Sequence, residues 1–121
     1  MNTLLFFPFL VWIAQSAVPP GRYHLVGPYP KIPVRVLDFQ GKNTMLFGFK
    51  DTTIKTTYTM SSTGCSIQPK LSKSQTAQLA KKYPQYIEAT TLANLQCSTS
   101  GGFTISIDYK GGQDIYYSSS G

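Results

Sequence analysis

His24 is the only histidine of this chain, and the side chains able to move protons around it are few. The acids are Asp38, Asp51, Glu88, Asp108 and Asp114. A Ser-His-Asp triad needs a nucleophile held on a sharp turn beside an oriented imidazole, and no Gly-x-Ser-x-Gly element supplies one. Ribonuclease-type chemistry needs two proton-transfer groups beside a cation, for which His24, Glu88 and Arg35 are the available set. Glycoside hydrolysis needs two carboxylates about 5–10 Å apart across a cleft. Asp108 and Asp114 are the candidate pair, but acids flanking a turn serve more often as turn-formers and solubilisers. Two cysteines and one histidine without Cys-x-x-Cys spacing fall short of a zinc site. Gly101-Gly102 and Gly111-Gly112 belong to strand starts and turns rather than to a phosphate-binding loop. The expectation is a chain with no catalytic residues, no cofactor and no metal.

Binding is better supplied. Eight tyrosines, at 23, 29, 58, 83, 86, 109, 116 and 117, offer large contact area at low entropic cost. Most must serve the core, because phenylalanine is scarce after residue 17. Lys81, Lys82, Tyr83 and Tyr86 lie together and mix charge with aromatic faces. Tyr116 and Tyr117 are adjacent, so in a strand they point to opposite sides and one is exposed; Tyr116 joins the candidate binding set. Eleven Lys and Arg against five Asp and Glu give a net charge of +6, which favours anionic partners. Only Lys81-Lys82 is a pair, and no run of five or six basic residues marks a nucleic-acid arm, so nucleic acid is not an expected partner.

The elements that must position these residues begin after an apolar leader. Met1 to Ala17 reads as a cleaved signal peptide: Leu4 to Ala14 is apolar and too short to span a bilayer as a helix. Cleavage after Ser16 leaves small residues at Ala14 and Ser16, and cleavage after Ala17 is nearly as suitable. The alternative is a buried N-terminal helix. With the leader removed, about 104 residues remain, enough for one domain with a modest core. Export favours a Cys65–Cys97 disulfide, closing a loop of roughly 32 residues, with two free buried thiols as the alternative.

Residues 18–33 form a proline-rich extended lead, with Pro19, Pro20, Pro28, Pro30 and Pro33 excluding a helix and leaving room for an edge strand around Arg22 to Val26. Period-two alternation then runs through Val34–Phe39, Met45–Phe49 and Ile54–Met60, three strands of an antiparallel meander. Ser72 to Gln75 has the form of a capping box, opening a helix of about ten residues that Pro84 ends. Residues 86–95 fit either strand or helix. Phe103 to Tyr109 alternates cleanly and pairs with Ile115 to Tyr117 through Gly111-Gly112. A three-residue loop, Lys110-Gly111-Gly112, keeps both apolar faces together, placing Ile115 opposite Ile107 and Tyr117 opposite Ile105. Its cost is Asp108 facing Asp114. The expected fold class is α+β, mainly antiparallel β, with about five to six strands as a meander plus C-terminal hairpin and one short helix. Residues 34–121 form a single disulfide-stapled domain.

In its leader, size, single disulfide, β-rich pattern and basic charge, the chain resembles the small secreted effectors of plant-associated fungi. The resemblance covers the whole chain by composition and rests on no motif. The Tyr-x-Cys element of one such group is absent, since Tyr23-His24 is followed by Leu25. Secreted inhibitors and lipid-carrying β-barrels share the same composition. The expectation is a secreted, extracellular, non-enzymatic binding protein, effector- or inhibitor-like. Its partner would be a host or cell-surface protein or an anionic polysaccharide, without stable membrane insertion. The alternatives are a secreted hydrolase or ribonuclease-like toxin, a coat or filament subunit favoured by an open sheet edge, and, more weakly, a lipocalin-like carrier.

Overall fold

The structure, a computed structural model, describes residues 17–61 and 64–119. The expected signal peptide, 1–17, lies outside the described residues except for Ala17. Eight strands form a closed antiparallel barrel in which each strand pairs with its neighbours in sequence: β1 Gly21–Leu25, β2 Val34–Gln40, β3 Thr44–Phe49, β4 Thr53–Met60, β5 Ser66–Pro69, β6 Leu95–Ser98, β7 Thr104–Tyr109 and β8 Gln113–Ser118. One helix, α1 Lys73–Lys82, lies between β5 and β6. The ring closes where β1 meets β8, at His24↔Ser118 and Leu25↔Tyr117.

The expected meander, hairpin and helix are present, but the strand number rises from five or six to eight and the sheet is closed rather than open. The two strands missed are β5 and β6, each of four residues. Four residues place only two side chains on the core face, here Ile67 with Pro69 and Leu95 with Cys97, too few to register as a period. The edge strand expected in the proline-rich lead is β1, paired on both sides.

Inward positions of the strands fill the barrel. Leu37, Phe39, Met45, Phe47, Ile67, Leu95, Ile105, Ile107, Ile115 and the rings of Tyr58, Tyr109 and Tyr117 are fully buried. An eight-stranded barrel has an interior of the width that side chains fill. Buried phenols need partners, and they have them. Tyr117 donates to the Val34 carbonyl at 2.7 Å, Tyr109 and Tyr117 share a 2.7 Å bond, and Tyr58 accepts the Val18 N–H at 3.0 Å. Val18, 2% exposed, thereby docks on the barrel end where β1 begins.

The β7–β8 register is Ile107↔Ile115, Ile105↔Tyr117 and Asp108↔Asp114 around a three-residue loop, as the pairing of apolar faces requires. Gly112 takes φ +81° there. Cys65 and Cys97 are disulfide-bonded, with Cα atoms 5.1 Å apart. Helix α1 opens with a complete capping box, Ser72 accepting from the Gln75 N–H while the Gln75 side chain accepts from the Ser72 N–H. It buries only Leu79, so its stability comes from the cap and from the segments that hold its ends. No helix among the described residues is long and apolar enough to cross a membrane.

Candidate functional site

An up-and-down barrel sorts its connections into two ends. The β1–β2, β3–β4, β5–β6 and β7–β8 connections share one end, and the rest share the other. The first end carries Lys31, Lys50, Lys70, Lys73, Lys81, Lys82 and Lys110 against Asp51 and Glu88. The connections of the opposite end carry Lys42 alone. Charges on the strands themselves cancel: Arg22, Arg35 and Lys55 stand against Asp38, Asp108 and Asp114. Nearly all of the net positive charge is therefore concentrated at one end.

Two clefts that share Tyr86 lie at that end and together make up its groove. One part, a cleft of about 190 Å³, is lined by Pro28, Tyr29, Pro30, Lys31, Ile32, Tyr86 and Gln113. A second, of about 180 Å³, is lined by Lys82, Tyr83, Pro84, Gln85 and Tyr86. Tyr86 lines both.

Local structure fixes each wall. Gly27 has φ +102°, and a Cβ there would approach the Tyr29 ring to 2.8 Å, so glycine lets that ring fold back over the β1–β2 connection. The register of β2 on β3 shifts between Val34 and Val36, as at a bulge. Between them, Arg35 donates to the Tyr29 carbonyl at 2.5 Å and the Ile32 carbonyl at 3.3 Å. This pins a proline-rich connection whose own backbone offers few donors. On the other wall, Tyr83 stacks on Phe49 with ring centroids 5.6 Å apart and planes at 8°. Tyr86 meets Tyr109 edge to face at 6.4 Å, and its carbonyl accepts the Lys110 N–H at 2.9 Å. Lys110 Nζ donates to the Pro84 carbonyl at 3.1 Å, closing the connection onto the β7–β8 turn.

Lys82 pairs with Asp51 at 3.1 Å and lies 5.5 Å from the Tyr83 ring centroid. Its hydrogen bond holds the Asp51 carboxyl below the ordinary carboxylate value and raises the ammonium of Lys82. Both side chains remain well exposed. Lys31 and Lys81 form no ion pair among the described residues. The end therefore presents free ammonium groups beside half-exposed rings.

Four of the five residues expected to bind, Lys81, Lys82, Tyr83 and Tyr86, come together at this end. Tyr116 does not join them; it stands on the outer wall of β8, 54% exposed. The sequence reading missed the opposite wall, Pro28 to Ile32. The available signal was Tyr29 between two prolines, since a rigid chain holds an aromatic ring out at 41% exposure.

The groups considered for catalysis are dispersed. His24 is exposed on the outer wall of β1, opposite Val36 and Ser118. Glu88 lies in the β5–β6 connection, and Arg35 is engaged by backbone carbonyls. Asp108 and Asp114 face each other on the outer wall beside the β7–β8 turn. No group of three metal-ligating side chains occurs among the described residues.

No protein-family model matches the chain, and neither a curated protein nor a solved structure matches it. The chemistry of the groove is thus the guide to its function.

Proposed function

We propose that this is a secreted, non-enzymatic binding protein whose cationic end seats an extended acidic segment of a partner protein. The observation that carries this reading is the segregation of charge: seven lysines against two acids at the one end that also holds the aromatic and proline-lined groove. Lysines at the rim steer an anionic partner into place, while Tyr29, Tyr86 and the prolines supply desolvated contact area. The apolar lining favours a protein segment, which brings side chains to fill it. Charge alone fits an anionic polysaccharide, the second reading. The disulfide suits an oxidising, extracellular setting. The dispersed His24, Glu88 and Arg35 favour binding over hydrolysis, and the closed strand order weakens the filament reading that an open edge would favour.

The test is selection from a random peptide library with disulfide-intact protein, followed by affinity measurement at two salt concentrations. Selected peptides should be acidic and contain at least one aromatic or proline residue. Lys31→Glu combined with Lys81→Glu should weaken binding by about tenfold or more, and Tyr86→Ala should weaken it comparably. Lys42→Glu, at the far end, should leave it unchanged. Equal losses from Lys42→Glu and the groove variants would mean that diffuse charge alone binds. Preference for polygalacturonate, indifferent to Tyr86→Ala, would favour the polysaccharide reading.

A further inference from the structure

Tyr116 lies apart from the groove, and among the described residues it is the most exposed large hydrophobic side chain. An outward tyrosine on a strand often stacks on an aromatic neighbour across the sheet. Tyr116 faces Ser106 instead, and none of the ring pairs among the described residues includes it. Strand pairing arranges its surroundings as a lattice. Gln96, Ser106 and Tyr116 form one outward row across β6, β7 and β8, and Ser98, Thr104 and Ser118 form the next. With strands about 4.8 Å apart and alternate residues about 6.7 Å apart, the lattice spans an area comparable to a sugar ring with its hydroxyls. A shallow cleft of about 140 Å³ lies on it, lined by Gln96, Cys97, Ser98, Thr104, Ser106 and Tyr116. The lining contains no Lys, Arg, His, Asp or Glu.

We propose that this wall is a second binding site, for an uncharged sugar ring stacked on Tyr116. A pyranose presents axial C–H groups on its face and hydroxyls around its rim. The tyrosine ring meets the face, and the rim meets groups that donate and accept at once: the Gln96 amide and the Ser98, Thr104 and Ser106 hydroxyls. Asp108 and Asp114 form the next outward row toward the β7–β8 turn, both exposed. Their carboxylates accept hydrogen bonds from neutral hydroxyls and repel a uronic acid or sulfated sugar, which fixes the class as uncharged. The platform is preorganised. The Cys65–Cys97 disulfide and the Cys97 N–H bond to the Cys65 carbonyl at 3.0 Å hold β6 in place. The Tyr116 carbonyl accepts the Val26 N–H at 2.8 Å where the barrel closes. A tyrosine also loses only two side-chain torsions on binding.

The experiment is an amide shift titration of the disulfide-intact protein with cellohexaose, chitohexaose and laminarihexaose, and with hexagalacturonate as the charged comparison. At least one neutral hexasaccharide should shift the amides of Gln96, Ser106 and Tyr116, and hexagalacturonate should not. Tyr116→Ala should weaken that binding by about tenfold, whereas Tyr116→Trp should keep or strengthen it. Raising salt to about 0.5 M should change nothing, since no ion pair is formed. Near-ultraviolet circular dichroism of both variants establishes that the barrel is intact. Absence of binding by all three neutral sugars at about 10 mM, binding indifferent to Tyr116→Ala, or shifts confined to the lysine-rich end would each overturn the proposal.

Discussion

Removing the Cys65–Cys97 disulfide tests how the barrel holds its lysine-rich end. The disulfide closes a loop spanning 32 positions. On the chain-entropy model, freeing such a loop in the unfolded state removes about 4 kcal/mol of stability. A domain of this size has about 5–15 kcal/mol in total, so the loss is large, and it corresponds to a fall in melting temperature of about 15–30 °C. Geometry says where the effect concentrates. The β5–β6 seam has two paired positions, Ser66↔Gln96 and Ile67↔Leu95, whereas β7–β8 has six. The seam is also the root of the connection that carries Lys81, Lys82, Tyr83 and Tyr86. Guanidinium unfolding of Cys65→Ala/Cys97→Ala against the oxidised parent should show a lower midpoint and a steeper slope, as the uncrosslinked unfolded chain exposes more surface. Hydrogen exchange should show residues 66–98 losing protection before β2–β3 and β7–β8. A stability loss below about 1 kcal/mol, or uniform loss of protection around the ring, would mean that the disulfide does not hold the β5–β6 seam.

Three other substitutions or conditions probe separate parts of the structure. Burial raises the phenols of Tyr109 and Tyr117 above the ordinary value of 10.0. Above that pH the unfolded chain releases protons that the folded one retains, so each phenol removes about 1.4 kcal/mol of stability per pH unit. Absorbance at tyrosinate wavelengths should show these two ionising together with unfolding rather than before it. Gly48→Ala places a Cβ 2.3 Å from Val36 Cγ1 and should lower stability by about 1–3 kcal/mol. Adding Val36→Ala should recover part of that in denaturant midpoint. Gly27→Ala strains a positive φ and collides with the Tyr29 ring, so it should weaken peptide binding at the groove more than it lowers the melting temperature.

Long period-two segments were legible in the sequence because each contributes three or more side chains to one face. Val34–Phe39, Met45–Phe49, Ile54–Met60, Thr104–Tyr109 and Ile115–Tyr117 all fall in strands, and the β7–β8 register follows from matching apolar residues. The helix was legible through its cap, a local device. Closure was not. It depends on β1 meeting β8 across most of the chain, and on β5 and β6, whose four residues each carry too little pattern. The groove shows the same division. Lys81 to Tyr86 are neighbours in sequence and were seen as a cluster. Tyr29 and Lys31 reach them only because the barrel brings the first and third connections of that end together. Charge segregation is invisible for the same reason: the lysines are scattered along the chain and converge only through the up-and-down topology.

The lysine-rich end is the proposed recognition surface. The most direct measurement is a backbone amide shift map of the disulfide-intact protein with an acidic peptide selected by it, recorded at about 0.15 M and 0.5 M salt. Shifts should be confined to residues 28–32, 81–87 and 110–113, with affinity falling as salt rises but not vanishing, because Tyr29 and Tyr86 contribute apolar contact. Shifts centred on the opposite end, or binding abolished altogether at the higher salt, would contradict that proposal.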